Sequence, residues 1–225
     1  SYTTLTYPDF CLDNGERLRG AALLISTKGV IPDRFIELFL RNPRKVLVQV
    51  GITTVEDAVR HIIEPRAATV DERLDNLARL HAAGIRAEAR MDPLVPGLTD
   101  TEDNLKTLLP VLARARVRQT VASFLFLRWG INFPNDLTWG EWSVRTMRRL
   151  YTHKVTDYCG GGTIWLPEAV YRKERIKALE NIARKNDIAV TLCRCKNADL
   201  PQAQPCHPAD SLIEMPTDDP QLELF

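Results

Sequence analysis

"TVDERLDNLARLHAAGIRAEARMDPLVPGLTD", residues 69–100, decides the fold class. Thr69 and Glu72 have capping-box spacing, in which a hydroxyl and a carboxylate satisfy the free amides of a helix start. Leu74, Leu77 and Leu80 then recur on one side of the helix, and Gly84 suits a left-handed stop. "IRAEARM", 85–91, alternates as a strand does, and Pro93, Pro96 and Gly97 follow at once in a stiff exit. Helix, tight turn, strand and rigid loop make one repeat of an α/β architecture.

Working outward, the same rhythm recurs. "AALLIST" (21–27) and the valine-rich "KVLVQVGIT" (45–53) read as strands flanking a helix over 32–42 that starts at Pro32. Thr99–Glu102 and Thr138–Glu141 match two further capping boxes. The first of these predicts a helix carrying Leu105, Leu108, Leu109 and Leu112, with a kink or a new turn at Pro110; the second predicts a helix opening at Glu141. "VRQTVASFLFLR" (117–128) and "IAVTLC" (188–193) read as strands, with a helix over about 168–186 between them. Strands alternating with helices imply parallel pairing, and buried parallel strands should be apolar runs, as these are. The units are too few for a closed eight-unit barrel, so the fold is read as α/β, a partial (β/α) TIM-like barrel or an open sheet. The division is a barrel over 1–192 and a cysteine-containing tail over 193–225.

The formal net charge of +1, with 44% hydrophobic and 26% charged residues, argues against a strongly basic nucleic-acid protein. The basic clusters Arg114–Arg118, Arg145–Arg149 and Arg172–Lys177 read as solvated helix faces, with contact to a polyanion as the alternative. No run is apolar enough for a membrane span, and the N-terminus lacks the pattern of a signal peptide. Five cysteines, an odd number, argue against a disulfide framework and for a reducing cytoplasm.

In parallel α/β folds the ligand site lies at the carboxyl ends of the strands. The residues there are Ser26, Thr27 and Lys28, then Thr53 and Thr54, then Arg90 and Asp92, then Ser123 and Arg128. The connection "IIEPR" adds Glu64 and Arg66 around Pro65. This mixed-charge, hydroxyl-rich set suits a zwitterionic small molecule. Neither a P-loop nor a G-x-G-x-x-G turn is present. Cys193, Cys195 and Cys206, with His207 or Cys159, have the donor types of an iron–sulfur or zinc site, although their spacing matches no common ribbon.

The segments "LLISTKG", "VGITTVEDAVRHIIEPRAATVDERLDNLARLHAAGIRAEARMDPLVPGLTD" and "ALENIARKNDIAVTLCRCKN" together resemble radical S-adenosylmethionine (AdoMet) proteins of the spore photoproduct lyase or DNA repair photolyase type. The resemblance runs from about residue 20 to 200 and rests most on the E-P-R turn followed by the D-P-x-x-P-G exit. It implies a partial (β/α) barrel that binds AdoMet, whose reductive cleavage by a [4Fe–4S] cluster yields a 5′-deoxyadenosyl radical. By the resemblance Ser26 and Lys28 meet the methionyl part and Thr53 and Thr54 the ribose or adenine, while Glu64, Arg66, Arg90 and Asp92 line the mouth. It also makes Cys159 a candidate hydrogen-atom donor and a nucleic-acid lesion a candidate substrate.

The family's C-x-x-x-C-x-x-C cluster loop does not occur in this chain. The expectation is therefore the C-terminal two-thirds of such an enzyme, with the first βα unit or units and the cluster ligands elsewhere. The chain is then a piece of a longer protein, one half of a split enzyme whose partner supplies the cluster, or a member without radical chemistry. An iron-free α/β enzyme using Glu64 and Asp92 on a small metabolite is the further alternative.

Overall fold

The computed structural model describes residues 23–128, 136–156, 162–197 and 199–204. Its centre is a five-stranded sheet in the order β1, β2, β3, β4, β10, in which every neighbouring pair is parallel. The strands are β1 (Leu23–Thr27), β2 (Val46–Gly51), β3 (Arg86–Leu94), β4 (Gln119–Phe124) and β10 (Ala189–Leu192). Five helices connect or flank them: α1 (Asp33–Phe39), α2 (Asp57–Ile63), α3 (Val70–Ala82), α4 (Glu102–Arg114) and α6 (Ala169–Arg184). This is the partial (β/α) barrel that the alternation of elements predicts.

Strand alternation divides the sheet into two chemically different faces. Val48, Val50, Ala89, Ala122 and Leu192 face the helices and pack with Leu77, Leu80, Leu108, Leu109 and Leu179 in the main core. The opposite face carries Ser26, Gln49, Glu88, Arg90 and Thr191. Register puts Ser26 beside Gln49, Gln49 beside Glu88, and Val121 between Arg90 and Thr191. A polar residue inside an apolar run, such as Gln49 in "VLVQVG", therefore marks the face away from the helices.

α3 forms as its sequence predicts. The Thr69 hydroxyl accepts from the Glu72 amide at 3.3 Å, the Glu72 carboxylate accepts from the Thr69 amide at 2.8 Å, and Gly84 turns the chain at φ +70°. The second box is corrected. Thr101, not Thr99, caps α4, accepting from the Asn104 amide, while the Thr99 hydroxyl accepts from Val95 inside the preceding loop. A hydroxyl can cap only where the backbone is already extended, and the loop pulls Thr99 away. α4 continues through Pro110 to Arg114 as one helix.

The third box is also overturned. Thr138–Trp139 (β6) and Trp142–Ser143 (β7) form an antiparallel hairpin turned at Gly140, φ +56°, and the short α5 (Val144–Arg148) starts after Ser143. Gly140 inside the apparent box favours a turn over a first helical turn. The strand read over 117–128 likewise ends at Phe124. Leu127–Arg128 (β5) joins a separate antiparallel sheet with β9 (Thr163–Leu166) and β8 (His153–Thr156). A second apolar cluster of Val59, Val95, Leu98, Val144, Met147 and Tyr151 joins this inserted unit to the loop after β3. Trp142 donates to the Pro96 carbonyl at 2.9 Å and Tyr151 to the Leu125 carbonyl at 3.0 Å. The insertion therefore walls the carboxyl end of the parallel strands.

Nor is every basic cluster a solvated face. Arg172 is fully buried, donating to the Pro167 carbonyl, to Asn197 and to Asp199. Residues after β10 expected as tail are bound to the barrel too. Gln204 donates to the Leu192 carbonyl at 2.9 Å and accepts from the Arg194 amide at 2.8 Å. No helix among the described residues is long and apolar enough to cross a membrane.

Candidate functional site

The strand ends bring together two ion clusters on the polar face. The first is at β1 and β2. The Lys28 ammonium, just past β1, lies 2.6 Å from one Glu64 oxygen, and Arg73 of α3 lies 2.7 Å from the other. Glu64 reaches them from the turn that Pro65 enforces after α2. Arg73 also donates to the carbonyls of Gly51 at 2.7 Å and Ala68 at 2.9 Å. Gly51 matters by what it lacks: a Cβ there would lie 2.7 Å from Lys28 Cγ, so the lysine stem rests directly on the strand backbone.

The second cluster is at β3. Arg90 donates to Gln49 at 2.8 Å and to Asp92 at 2.9 Å. Lys196, from the 3-10 turn Arg194–Lys196 after β10, donates to the other Asp92 oxygen at 3.0 Å. Burial acts to raise the Asp92 pKa, but Lys196 and Arg90 outweigh it and hold the carboxyl below its usual range. Below this pair, Gln49 takes a hydrogen bond from Ser26 at 3.3 Å and gives one to Glu88 at 3.4 Å, and burial raises the Glu88 pKa. Lys196 also lies 4.9 Å from the centre of the Phe126 ring, with Arg128 on the same ring at 5.7 Å. Across the mouth, Lys28, Arg73, Arg90 and Lys196 stand against Glu64, Asp92 and the deeper Glu88, a small excess of positive charge suited to a ligand carboxylate.

The other sequence-predicted residues divide. Thr53 and Thr54 are both 2% exposed. The Thr54 hydroxyl accepts from the Glu56 amide at the start of α2, and the Thr53 carbonyl receives Asn104 at 2.8 Å. They build the floor of the loop. Arg66 is exposed in the turn and does not join the clusters. Cys193 is fully buried beside Val121 at the end of β10, and Cys195 falls in the 3-10 turn that carries Lys196. Cys206 and Cys159 lie outside the described residues. Among the described residues, no three His, Cys, Asp or Glu side chains are grouped to hold a metal.

Sequence reading missed Gln49, Arg73, Phe126 and Lys196. Arg73 had a signal: it sits four and seven residues before Leu77 and Leu80, on the apolar stripe of α3, where a cation has no reason to be unless paired. Lys196 had none, since only the fold brings it to Asp92.

Titration of these carboxylates sets the pH dependence of stability. Burial raises Asp100 as well as Glu88, so in the folded protein both bind protons at a higher pH than when unfolded. As pH falls from neutral toward the ordinary carboxylate range of about 4, that difference adds stability. Asp92 and Asp199 are lowered, Asp199 by Arg172 against a burial effect of opposite sign, so their contribution fades as pH falls below about 4. The urea midpoint is expected to peak in mild acid. A midpoint that falls steadily from neutral pH downward contradicts this assignment.

The fold and this charged mouth define a class, a partial parallel (β/α) barrel whose strand ends hold paired cations and carboxylates. The Radical SAM superfamily profile matches residues 4–109. Uncharacterized protein ORF301 of Acidianus two-tailed virus is 26% identical over 156 residues, covering 65% of this chain and 52% of the relative. A Radical SAM Nalpha-GlyT isomerase of Pseudomonas phage M6 is 29% identical over 94 residues, covering 42% of this chain and 19% of the relative. Among solved structures, spore photoproduct lyase complexed with dinucleoside spore photoproduct superposes at a TM-score of 0.56, with 15% identity over 76% of this chain and 51% of that one. A variant of that lyase with bound AdoMet and the same dinucleoside gives 0.55, with 15% identity over 76% and 50%. Residues 4–109 thus resemble the radical AdoMet superfamily and the fold resembles that of the lyase, while the chain spans about half the length of ORF301 and of the lyase.

Proposed function

We propose that this chain is the AdoMet-binding part of a radical AdoMet enzyme. The observation that carries the reading is Lys28, an ammonium pinned at a strand end by Glu64 and seated on Gly51, on a face with an excess of cations. It suits the methionyl carboxylate, a charge-assisted contact. Ser26, Arg90 and Asp92 share that face and would orient the rest of the zwitterion, with Glu64 holding Lys28 and the Thr53–Thr54 floor bounding the nucleoside end.

The residues described here fit AdoMet and do not fit an iron–sulfur cluster. The C-x-x-x-C-x-x-C spacing does not occur in the sequence. No step through a cluster is assigned to this chain. AdoMet, with a cluster supplied from elsewhere, provides the radical chemistry; this chain binds and orients it and shields it behind the inserted sheet. The sheet order supports a second contributor, because β1 and β10 are its two edges among the described residues, and unpaired strand edges accept further strands. A partner chain, or further chain in the same polypeptide, would complete the barrel in a reducing cytoplasm. Phe126 beside two cations, an aromatic ring next to positive charge of the kind that takes a base and a phosphate, supports a nucleic-acid substrate. A hydrogen-atom-donor role for Cys159, and an auxiliary metal at Cys193, Cys195 and Cys206, belong to this reading as proposals; Cys159 and Cys206 lie outside the described residues, and Cys193 is buried at the end of β10.

Calorimetric titration of the purified chain with AdoMet tests the reading. The expected result is saturable binding with a Kd below about 1 mM, equivalent to at least about 4 kcal/mol. A folded chain that takes up no AdoMet overturns it. The intact mass of the native protein separates the two sources of the cluster: one longer polypeptide containing the missing motif, or a separate chain that carries it.

A further inference from the structure

Arg73 is not needed by any ligand contact proposed above, yet it is a charge placed where an apolar residue would pack. Its side chain is 1% exposed on the face of α3 that also buries Val70, Leu77 and Leu80. Three of its hydrogen bonds are made, to Ala68, Gly51 and Glu64, while Nη2 has no partner among the described residues. Burying a guanidinium with an unmet donor is unfavourable, and a well-packed apolar side chain at such a place is often as stable. Packing does not explain the charge.

The carboxylate it touches does. Glu64 is 8% exposed and has two oxygens, one on Lys28 and one on Arg73. With Lys28 alone, Glu64 would form a neutral pair, and the lysine's charge would be cancelled before any ligand arrived. With Arg73 on the second oxygen, the triad keeps a net positive charge, and that charge sits on the more exposed member, Lys28, at 37%. Arg73 itself is sealed from solvent. Gly51 joins the two, since its carbonyl receives Arg73 and its missing Cβ leaves room for the Lys28 stem.

We propose that Arg73 is a positioning residue that divides the Glu64 carboxylate, so that Lys28 is held in place without being neutralised. What the retained charge is for rests on the AdoMet reading; the division itself does not. The test is trace acylation of Lys28 in the ligand-free full chain at mildly alkaline pH, quantified by peptide mass spectrometry. In Arg73→Met, Glu64 falls wholly to Lys28, and Lys28 is expected to acylate about 3–10-fold more slowly, the size of effect an undivided opposite charge has on an amine. In Glu64→Gln it acylates faster than in the unaltered chain.

Arg73→Lys keeps the shared charge and stays within about twofold of it. A purely structural Arg73 would instead loosen the turn when replaced, so faster or unchanged acylation in Arg73→Met overturns the proposal. Should Arg73→Met not fold, Arg73→Lys decides: markedly faster acylation means that the fork geometry, not the shared charge, holds Lys28. AdoMet titration of the same variants is the separate arm. An unaltered chain that fails to bind AdoMet removes the reading above and leaves the acylation result standing.

Discussion

Replacing Lys28 with methionine is expected to weaken AdoMet binding by about 10–150-fold, the worth of one charge-assisted hydrogen bond of about 1.5–3 kcal/mol. The loss should be nearly all in binding. Lys28 is partly exposed, and after its removal Glu64 still holds Arg73 at 2.7 Å, so no buried carboxylate is stranded. Methionine keeps most of the stem that lies on Gly51. Thermal stability is therefore expected to change little while calorimetric affinity collapses. An affinity within about threefold of the unaltered chain, less than 1 kcal/mol, would place the ligand carboxylate elsewhere.

The largest expected stability effect lies away from the mouth, at Arg172. Its guanidinium is fully buried, with Nε on the Pro167 carbonyl and both Nη groups on Asn197 and Asp199. Arg172→Met removes the cation and leaves Asn197, itself fully buried, and the Asp199 carboxylate without it. Breaking such a pair from one side costs about 3–5 kcal/mol. At about 2–4 °C per kcal/mol for a chain of this size, the midpoint should fall by roughly 10 °C. Asp199→Asn keeps an acceptor for the guanidinium but leaves that fully buried cation without its carboxylate, so it too should lower the midpoint by several degrees. An unchanged midpoint in both variants would contradict the account of Arg172 as the buried member of the pair.

These two residues show how unevenly the sequence could be read. Lys28 was legible because it closes an apolar run, and in a parallel sheet the end of a run is the end of a strand. Arg90, Asp92 and Glu64 were legible for the same reason or through a neighbouring proline. Arg172 stands in a run of cations and reads as surface; only the chain returning through Asn197 and Asp199 buries it. The two misplaced capping boxes failed for one physical reason. A hydroxyl three residues before a carboxylate is necessary for a box, but the backbone between them must also enter a helix. The loop holding Thr99 and the turn at Gly140 forbid that, while Thr69 is free to comply. The antiparallel insertion had weak signals because its strands are short and half exposed.

The bond from Lys196 to Asp92 joins residues 104 apart in sequence. On a chain emerging in order from its N-terminus, Asp92 meets Arg90 early and waits for its second cation until β10 has been made and laid beside β4. The charge balance of the mouth is thus set only once β10 and the turn after it are in place, and a stalled or clipped product ending after β4 would carry Asp92 with Arg90 but without Lys196.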